Sequence, residues 1–332
     1  MLVFSSSKAR LMTDLRPDSG DQDAAIDVLM AAYNGEKYLS EQIESILRQS
    51  DRVWTLTVRD DCSTDGTLAI ARDYAERHPD RIIAQERTQN TGSAKQNFLE
   101  MLLDSSAPYV MFSDDDDVWL DDKISVTLSK MREMERDFGV GTPLLVHTDL
   151  TVADRNLTVT SRSMADSQQL DGGESRLSRL IVQNMVTGCT VMVNRPLADL
   201  VEGPFDGILM HDWWLALIAA AFGRIGYIDT PTVLYRQHGR NAVGASDARS
   251  ISYNVNRSLD RDGTKKRLRD SFAQAGLFLE HFEQRLSESQ IQMLRAYINI
   301  PRLGKLGRVR ELRRHGFWKN TFVRRLGQVW FV

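Results

Sequence analysis

Four consecutive carboxylates, Asp114 to Asp117, stand directly behind an apolar run in "MFSDDDDVWL". Like charges at contact repel by about 1 kcal/mol per pair in bulk water and by more at a protein surface. Either solvation at a loop tip or a cation has to relieve that repulsion. A calcium loop of the EF-hand kind wants Gly at its sixth position and Glu at its twelfth. Counted from Asp114 those positions hold Trp119 and Ser125, so that reading fails. A hard divalent cation, Mg2+ or Mn2+, that bridges the carboxylates to a diphosphate fits better. Trp119 and Leu120 follow at once and turn the loop inward. A second acidic pair, Asp60 and Asp61, lies in "VRDDCSTD", and Asp212 precedes the apolar "WWLALIAAAF".

The elements that would position these groups are readable from periodicity. "IDVLMAAYN", "VWTLTVRDD", "RIIAQE" and "YVMFSDD" are short apolar runs of the kind that make buried parallel strands. Between them lie helical patterns, such as Leu39, Ile43, Ile46 and Leu47 in the first. Strands alternating with helices predict an α/β, doubly wound and mostly parallel sheet. Ligands bind such sheets at the carboxyl ends of the strands. "YNGE", "DDCSTD", "NTGSAKQN" and "DDDD" all fall there, which gathers Asp60, Asp61, Asn90, Lys95 and the acidic run at one edge. Further on, "LLVHTDLTV" and "MVTGCTVMV" read as strands, with His147 and Asp149 on one strand face as pocket candidates. "HDWWLALIAAAF" reads as an apolar helix, and the chain is helical from about Lys265.

With 332 residues, 42% hydrophobic and 26% charged, the chain has room for one large domain or a catalytic domain with an appendage. Two cysteines cannot frame a disulfide scaffold, which favours a reducing compartment. No apolar stretch approaches the roughly 18–20 residues that span a bilayer, and Leu2-Val3-Phe4 is no signal-peptide core. A dinucleotide site would need G-x-G-x-x-G after the first strand, where "AAYNGEKYL" has one Gly; a P-loop is absent as well.

"AAYNGEKYL", "VRDDCSTDGT", "NTGSAKQNF" and "FSDDDDVWL" resemble, in order, the signatures of family-2 glycosyltransferases with the GT-A (nucleotide-diphosphosugar transferase) fold. The resemblance runs over residues 26–245. Its second half, "VTGCTVMV", "LMHDWWLAL" and "YIDTPTVLYRQHGRNAVGA", is similar to bacterial rhamnosyltransferases that extend rhamnan chains. It implies a tail over 1–24 and a GT-A domain over 25–245, with a nucleotide half to about 120 and an acceptor half beyond. A helical, basic region follows over 246–332.

The resemblance also implies roles. Tyr33, Asn34 and Glu36 lie where the nucleotide enters, and Asp61 would accept the N3–H of uracil or thymine. Asp114, Asp115 and Asp116 match a D-x-D motif, with Asp116 the direct metal ligand and Asp114 nearer the ribose. His238 would complete the metal site, beside Arg236 and Gln237 that suit a diphosphate; its plain structural role is a histidine bonded to backbone. Such enzymes invert the anomeric centre, so Asp212 is the expected base for the acceptor hydroxyl, unless it serves only as a helix cap. Gly188, Cys189, His211, Trp213 and Trp214 are candidates for the sugar or acceptor pocket. Adjacent helical residues point about 100° apart, so only one of the two tryptophans should face it. Cys189 reads more naturally as a small buried residue than as a nucleophile.

The expectation is a metal-dependent inverting enzyme that moves L-rhamnose from dTDP-β-L-rhamnose to a lipid-linked polysaccharide. The alternatives are another donor, such as a UDP-hexose, or a nucleotide-sugar-binding subunit without turnover. From Pro301 to Val332, nine Lys/Arg face the single acid Glu311, interleaved with Leu, Val, Phe and Trp. That segment reads either as a helix pair packed on the domain or as a contact with anionic headgroups. No nucleic-acid motif accompanies it. The second reading implies a cytoplasmic protein held at the inner face of the cell membrane. A homo-oligomer is compatible with either.

Overall fold

The structure is a computed structural model and describes residues 25–238 and 261–331. The expected tail over 1–24, the end of the resemblance over 239–245 and the start of the basic region over 246–260 lie outside the described residues. Nine strands form one sheet: β1 (Ile26–Ala32), β2 (Trp54–Asp60), β3 (Ile82–Glu86), β4 (Tyr109–Asp114), β5 (Val118–Trp119), β6 (Leu144–Asp154), β7 (Val159–Ser161), β8 (Val191–Asn194) and β9 (Arg224–Gln237). Their order is β3-β2-β1-β4-β8-β6-β9-β5, with β7 on β6.

The first half is parallel, and its register aligns the strand ends. Ala32 pairs with Asp60, and Ala31 with Asp114, so the polar segments after β1, β2 and β4 meet at one edge. The second half departs from the expected mostly parallel sheet. β8 runs antiparallel to both β4 and β6, and β5 antiparallel to β9, while β6 and β9 are parallel. The expected strand over 185–193 is short because residues 188–190 form a 3-10 turn, after which β8 enters the sheet from its far end. An antiparallel neighbour needs no helical crossover.

Side-chain alternation divides the core between the two sheet faces. Val28, Met30 and Met111 point to the face covered by α1 (Leu39–Leu47), α2 (Thr67–Arg77) and α4 (Lys123–Phe138). Leu29, Val110 and Phe112 point to the other, covered by α3 (Ala94–Asp104) and α5 (His211–Phe222). Short helical turns at 164–168, 177–180 and 195–198 fill the gaps.

The C-terminal helices α6 (Arg261–Phe282), α7 (Glu288–Asn299), α8 (Lys305–His315) and α9 (Phe322–Phe331) join this second core. Trp214 of α5 meets Phe278 of α6 edge-on, with ring centroids 5.3 Å apart, and Phe282 lies beside both. Truncating an aromatic in such a contact typically costs about 3–5 kcal/mol, so α6 is bound firmly to the sheet domain. Ser287 and Gln290 form a reciprocal capping box that starts α7. Arg179 donates to the Trp318 carbonyl and, at 2.9 Å, to Asn320 Oδ1, which ties the segment between α8 and α9 to the domain.

Candidate active site

Asp114, at the end of β4, is half-buried, and the three following carboxylates fan out from it. Asp115 Oδ2 accepts the Tyr33 N–H at 3.0 Å. Gly35 makes room for it: a Cβ there would lie 2.3 Å from that oxygen. Asp116 Oδ2 lies 2.7 Å from His238 Nε2, and the His238 ring stacks on Tyr38 at 4.9 Å. Asp117 turns into the protein, where Oδ1 accepts the Arg236 N–H at 2.9 Å and the carboxyl lies beside the Cys189 thiol. Burial pushes Asp115 up to about 7, with Asp116 adding to the effect. Burial, then the neighbouring acids, push Asp114 and Asp117 well above the usual carboxylate range. Asp116 is raised by burial too, against the opposing pull of His238. The loop therefore holds more acid than the protein can neutralise, so its carboxyls keep protons that a bound cation would displace.

The other wall comes from α5. Asp212, in its first turn, is 7% exposed. Its Oδ1 accepts the Trp213 N–H at 2.6 Å. Burial raises it to about 6, while the backbone of Trp213 and Gly188 and the Asn184 side chain pull the other way. Burial thus outweighs the helix N-terminus. Met210, not Asp212, is the N-cap residue. Gly188 lies against His211, since a Cβ there would be 2.6 Å from His211 Nε2. Phe98 and Phe112 flank the imidazole, whose pKa burial lowers to about 3. Trp213 fixes its indole by donating to the Leu180 carbonyl at 2.6 Å.

These walls enclose one cavity of about 870 Å³. Tyr33, Asn34, Asp114, Asp115, Asp116 and His238 line it, together with Gly188, His211, Asp212 and Trp213. Lys319 and Arg324, from the C-terminal segment, also reach it.

Several expected site residues lie elsewhere. Trp214 is fully buried in the aromatic core, as the 100° offset from Trp213 requires. Cys189 is buried beside Asp117 and does not line the cavity. Arg236 is buried, and its guanidinium donates to the Asp116 and Arg155 carbonyls and to Glu41 Oε2, at 2.7, 3.0 and 2.5 Å. It clamps the acidic loop instead of facing a diphosphate. Gln237, next to it on β9, pairs with Asp154 and is not a lining residue.

The loops after the other strands latch one another. Asp61 is buried and accepts the Thr91 N–H and hydroxyl at 2.9 and 2.7 Å, so a base contact there needs the turn at 90–93 to yield. Asn90 donates to the Asp61 carbonyl, and Glu36 accepts the Gly66 N–H. Asn34 reaches the cavity while its side chain holds Thr64. Lys95 donates to the Ile208 carbonyl. His147 bonds the Gly172 carbonyl at 3.0 Å, and Asp149 holds the Ala165 N–H at 3.1 Å, so neither lines the cavity.

Sequence reasoning missed Tyr38, Asn184 and the inward turn of Asp117. Tyr38 stands within the quoted "AAYNGEKYL", three residues from the glycine that admits Asp115. No pattern marks Asn184.

The residues fit a hard divalent cation. Carboxylate oxygens from Asp114 and Asp116 and the imidazole of His238 are the donors such ions accept, and the loop has charge to be neutralised. Among the described residues, the group whose three ligand atoms already lie within 4.8 Å of one another is a different one, Asp114, Asp117 and Cys189. Burial first, then Asp117 and Asp114, raise the Cys189 thiol well above its usual range, which keeps it a protonated, poor ligand for a hard ion.

Residues 27–196 match the profile "Glycosyl transferase family 2". The dTDP-rhamnosyl transferase RfbG of Shigella flexneri is 29% identical over 238 residues, which is 68% of this chain and 76% of that protein. Among solved structures, S. aureus TarS superposes with a TM-score of 0.53 at 18% identity, covering 83% of this chain and 43% of TarS. The mannosyltransferase PcManGT of Pyrobaculum calidifontis, solved with GDP-Man and Mn2+, gives 0.50 at 18% identity over 92% of this chain and 82% of its own. With a GT-A sheet, a cavity at its carboxyl edge and more than half of its length matched, the chain belongs to glycosyl transferase family 2.

Proposed function

We propose that this glycosyltransferase moves L-rhamnose from dTDP-β-L-rhamnose to a lipid-linked saccharide, with inversion and with a divalent cation, Mg2+ or Mn2+. One observation carries the reading: the acidic loop with its His238 partner and the buried carboxylate of Asp212 line one and the same cavity. A leaving diphosphate and an acceptor base have to meet at one anomeric carbon, which places both groups in one cavity. The similarity to RfbG favours rhamnose, and the Mn2+ bound by PcManGT favours the metal.

Asp114 and Asp116, with His238, would hold the cation, which would supply charge stabilisation for the departing diphosphate. Tyr33 and Asn34 would bind the nucleotide side. Asp212 takes the proton from the acceptor hydroxyl as its oxygen bonds to the anomeric carbon and the bond to the diphosphate breaks. A carboxyl at about 6 is ionised at neutral pH and still more basic than an ordinary aspartate. Trp213, fixed by Leu180, would offer its ring face to a pyranose. His211 stays neutral against Gly188 and sets the first turn of α5.

The test is donor hydrolysis and transfer measured with dTDP-rhamnose, UDP-glucose and UDP-galactose, with and without Mn2+. Turnover led by dTDP-rhamnose supports the full reading. Faster turnover of a UDP-hexose removes rhamnose from it, and binding without turnover leaves a nucleotide-sugar-binding subunit.

A further inference from the structure

α8 and α9 have an inner and an outer side. The inner side buries Leu312 and Phe317 in the core, and Gln328 bonds the Phe317 carbonyl at 2.7 Å. The outer side leaves Leu306 90%, Trp330 78% and Leu326 56% exposed, with Val329 beside them. Leu326, Val329 and Trp330 follow i, i+3, i+4 spacing and so share one face of α9. The Lys305 ammonium lies 6.0 Å from the Trp330 ring, which brings the first turn of α8 to the last turn of α9 and joins Leu306 to the same patch.

The rim is cationic. Arg310, Arg313 and Arg314 are exposed at helical spacing from Leu306, and Arg325 precedes Leu326. The only acid from 301 to 332, Glu311, is partly buried and faces His315 at 3.3 Å. Arg324, next to Arg325 on α9, lines the active-site cavity with Lys319. One short segment thus joins the cavity to the patch.

We propose that the outer face of α8 and α9 docks on an anionic lipid bilayer, with Leu306, Leu326, Val329 and Trp330 in the headgroup layer and the surrounding arginines and Lys305 on lipid phosphates. An apolar centre with an aromatic residue and a basic rim is the pattern of an interfacial helix. Among the described residues no helix is long and apolar enough to cross a membrane, so this contact would be peripheral. A symmetric pairing of two copies would set arginine rim against arginine rim, which disfavours a second copy as occupant. Nucleic acid would match the charge but gains nothing from the exposed Leu306, Leu326 and Trp330. The inference rests on the proposed function only in its purpose, which is to bring the cavity to a lipid-carried acceptor.

Flotation of the full chain with vesicles rich in phosphatidylglycerol, and with pure phosphatidylcholine, tests it. Binding should require the anionic lipid and weaken as salt rises. The pairs Leu326→Glu with Trp330→Glu and Arg313→Glu with Arg314→Glu should each weaken binding about tenfold or more, with melting temperature and dTDP affinity unchanged. The salt series reads the same contact in the unaltered chain. Wild-type protein that ignores anionic vesicles would overturn the proposal, as would both variant pairs binding like wild type. So would a dimer that the first pair dissolves, or duplex DNA that displaces the vesicles. Donor hydrolysis without lipid reads the active site separately: turnover without vesicle binding removes the docking surface alone, and vesicle binding without turnover removes the catalytic reading alone.

Discussion

His238 Nε2 lies 2.7 Å from Asp116 Oδ2, joining residues 122 positions apart at the mouth of one cavity. Arg236 reinforces the joint from below, because its N–H is held by Asp117 and its side chain by the Asp116 carbonyl and Glu41. The acidic loop is therefore braced by the last sheet strand before any ligand arrives. Such bracing is what a site that must hold a charged donor in fixed geometry needs.

Asp212→Asn preserves size and loses basicity. Transfer should fall by about 10²–10⁴, the usual contribution of a general base. Donor affinity should hardly move, because in the proposed reaction Asp212 acts on the acceptor hydroxyl. Steady-state kinetics beside a dTDP titration checks this. A variant that keeps most of its transfer rate would reduce Asp212 to a structural residue of α5.

The raised carboxyl of Asp212 also sets a pH dependence. The base must be ionised, so kcat should climb with pH up to about 6 and level off above it. Stability runs the other way. A carboxyl whose folded pKa exceeds its unfolded value favours the protonated fold, so its stabilisation is complete at low pH and lost as pH rises from about 4 through about 6. Asp212→Asn should abolish that part of the loss in melting curves. An activity limb near pH 4 would contradict the burial of Asp212.

Gly188→Ala would place a methyl 2.6 Å from His211 Nε2, and Phe98 and Phe112 leave the ring little room to retreat. Overpacking of this kind typically costs about 1–3 kcal/mol. The melting temperature should drop, and kcat should fall with it because Asp212 is the next residue. Nucleotide affinity should stay as it was. An unchanged melting temperature would mean that α5 moves freely.

The four strands and three helices of the first half were legible because their apolar runs have clean periods, and their register then places the strand-end motifs together. The direction of β8 was not legible, since an apolar run of four to nine residues carries no polarity. Within "DDDD" the sequence could not say which acids face the cavity, because the turn after β4 decides it, and Asp117 goes inward. The identity of Arg236 as a cation suggested a diphosphate, but Glu41, distant in sequence, lies beside it. Between Trp213 and Trp214 the helical offset alone required one to be core, and α6 determines which. For the basic tail the two readings proved not to exclude each other, since α8 and α9 pack with one face and expose the other.

Donor selectivity follows from the apolar side of the cavity. Discrimination between thymine and uracil rests on one methyl, worth only about 1 kcal/mol when buried. The sugar must contribute, and the 6-deoxy methyl of rhamnose would meet Trp213, Val182, Met185 and Val186. kcat/KM should favour dTDP-rhamnose over UDP-glucose and UDP-galactose by about tenfold or more. Initial rates with the three donors decide it.

In the proposed function the acidic loop holds a cation which holds the donor. Its most direct test is calorimetric titration of dTDP into the protein with Mn2+, with EDTA, and in Asp116→Ala. Binding should require Mn2+ in the wild type and be lost in Asp116→Ala, with the fold intact by circular dichroism. Equal dTDP affinity in the variant with Mn2+ present would mean that the acidic loop holds no cation the donor needs.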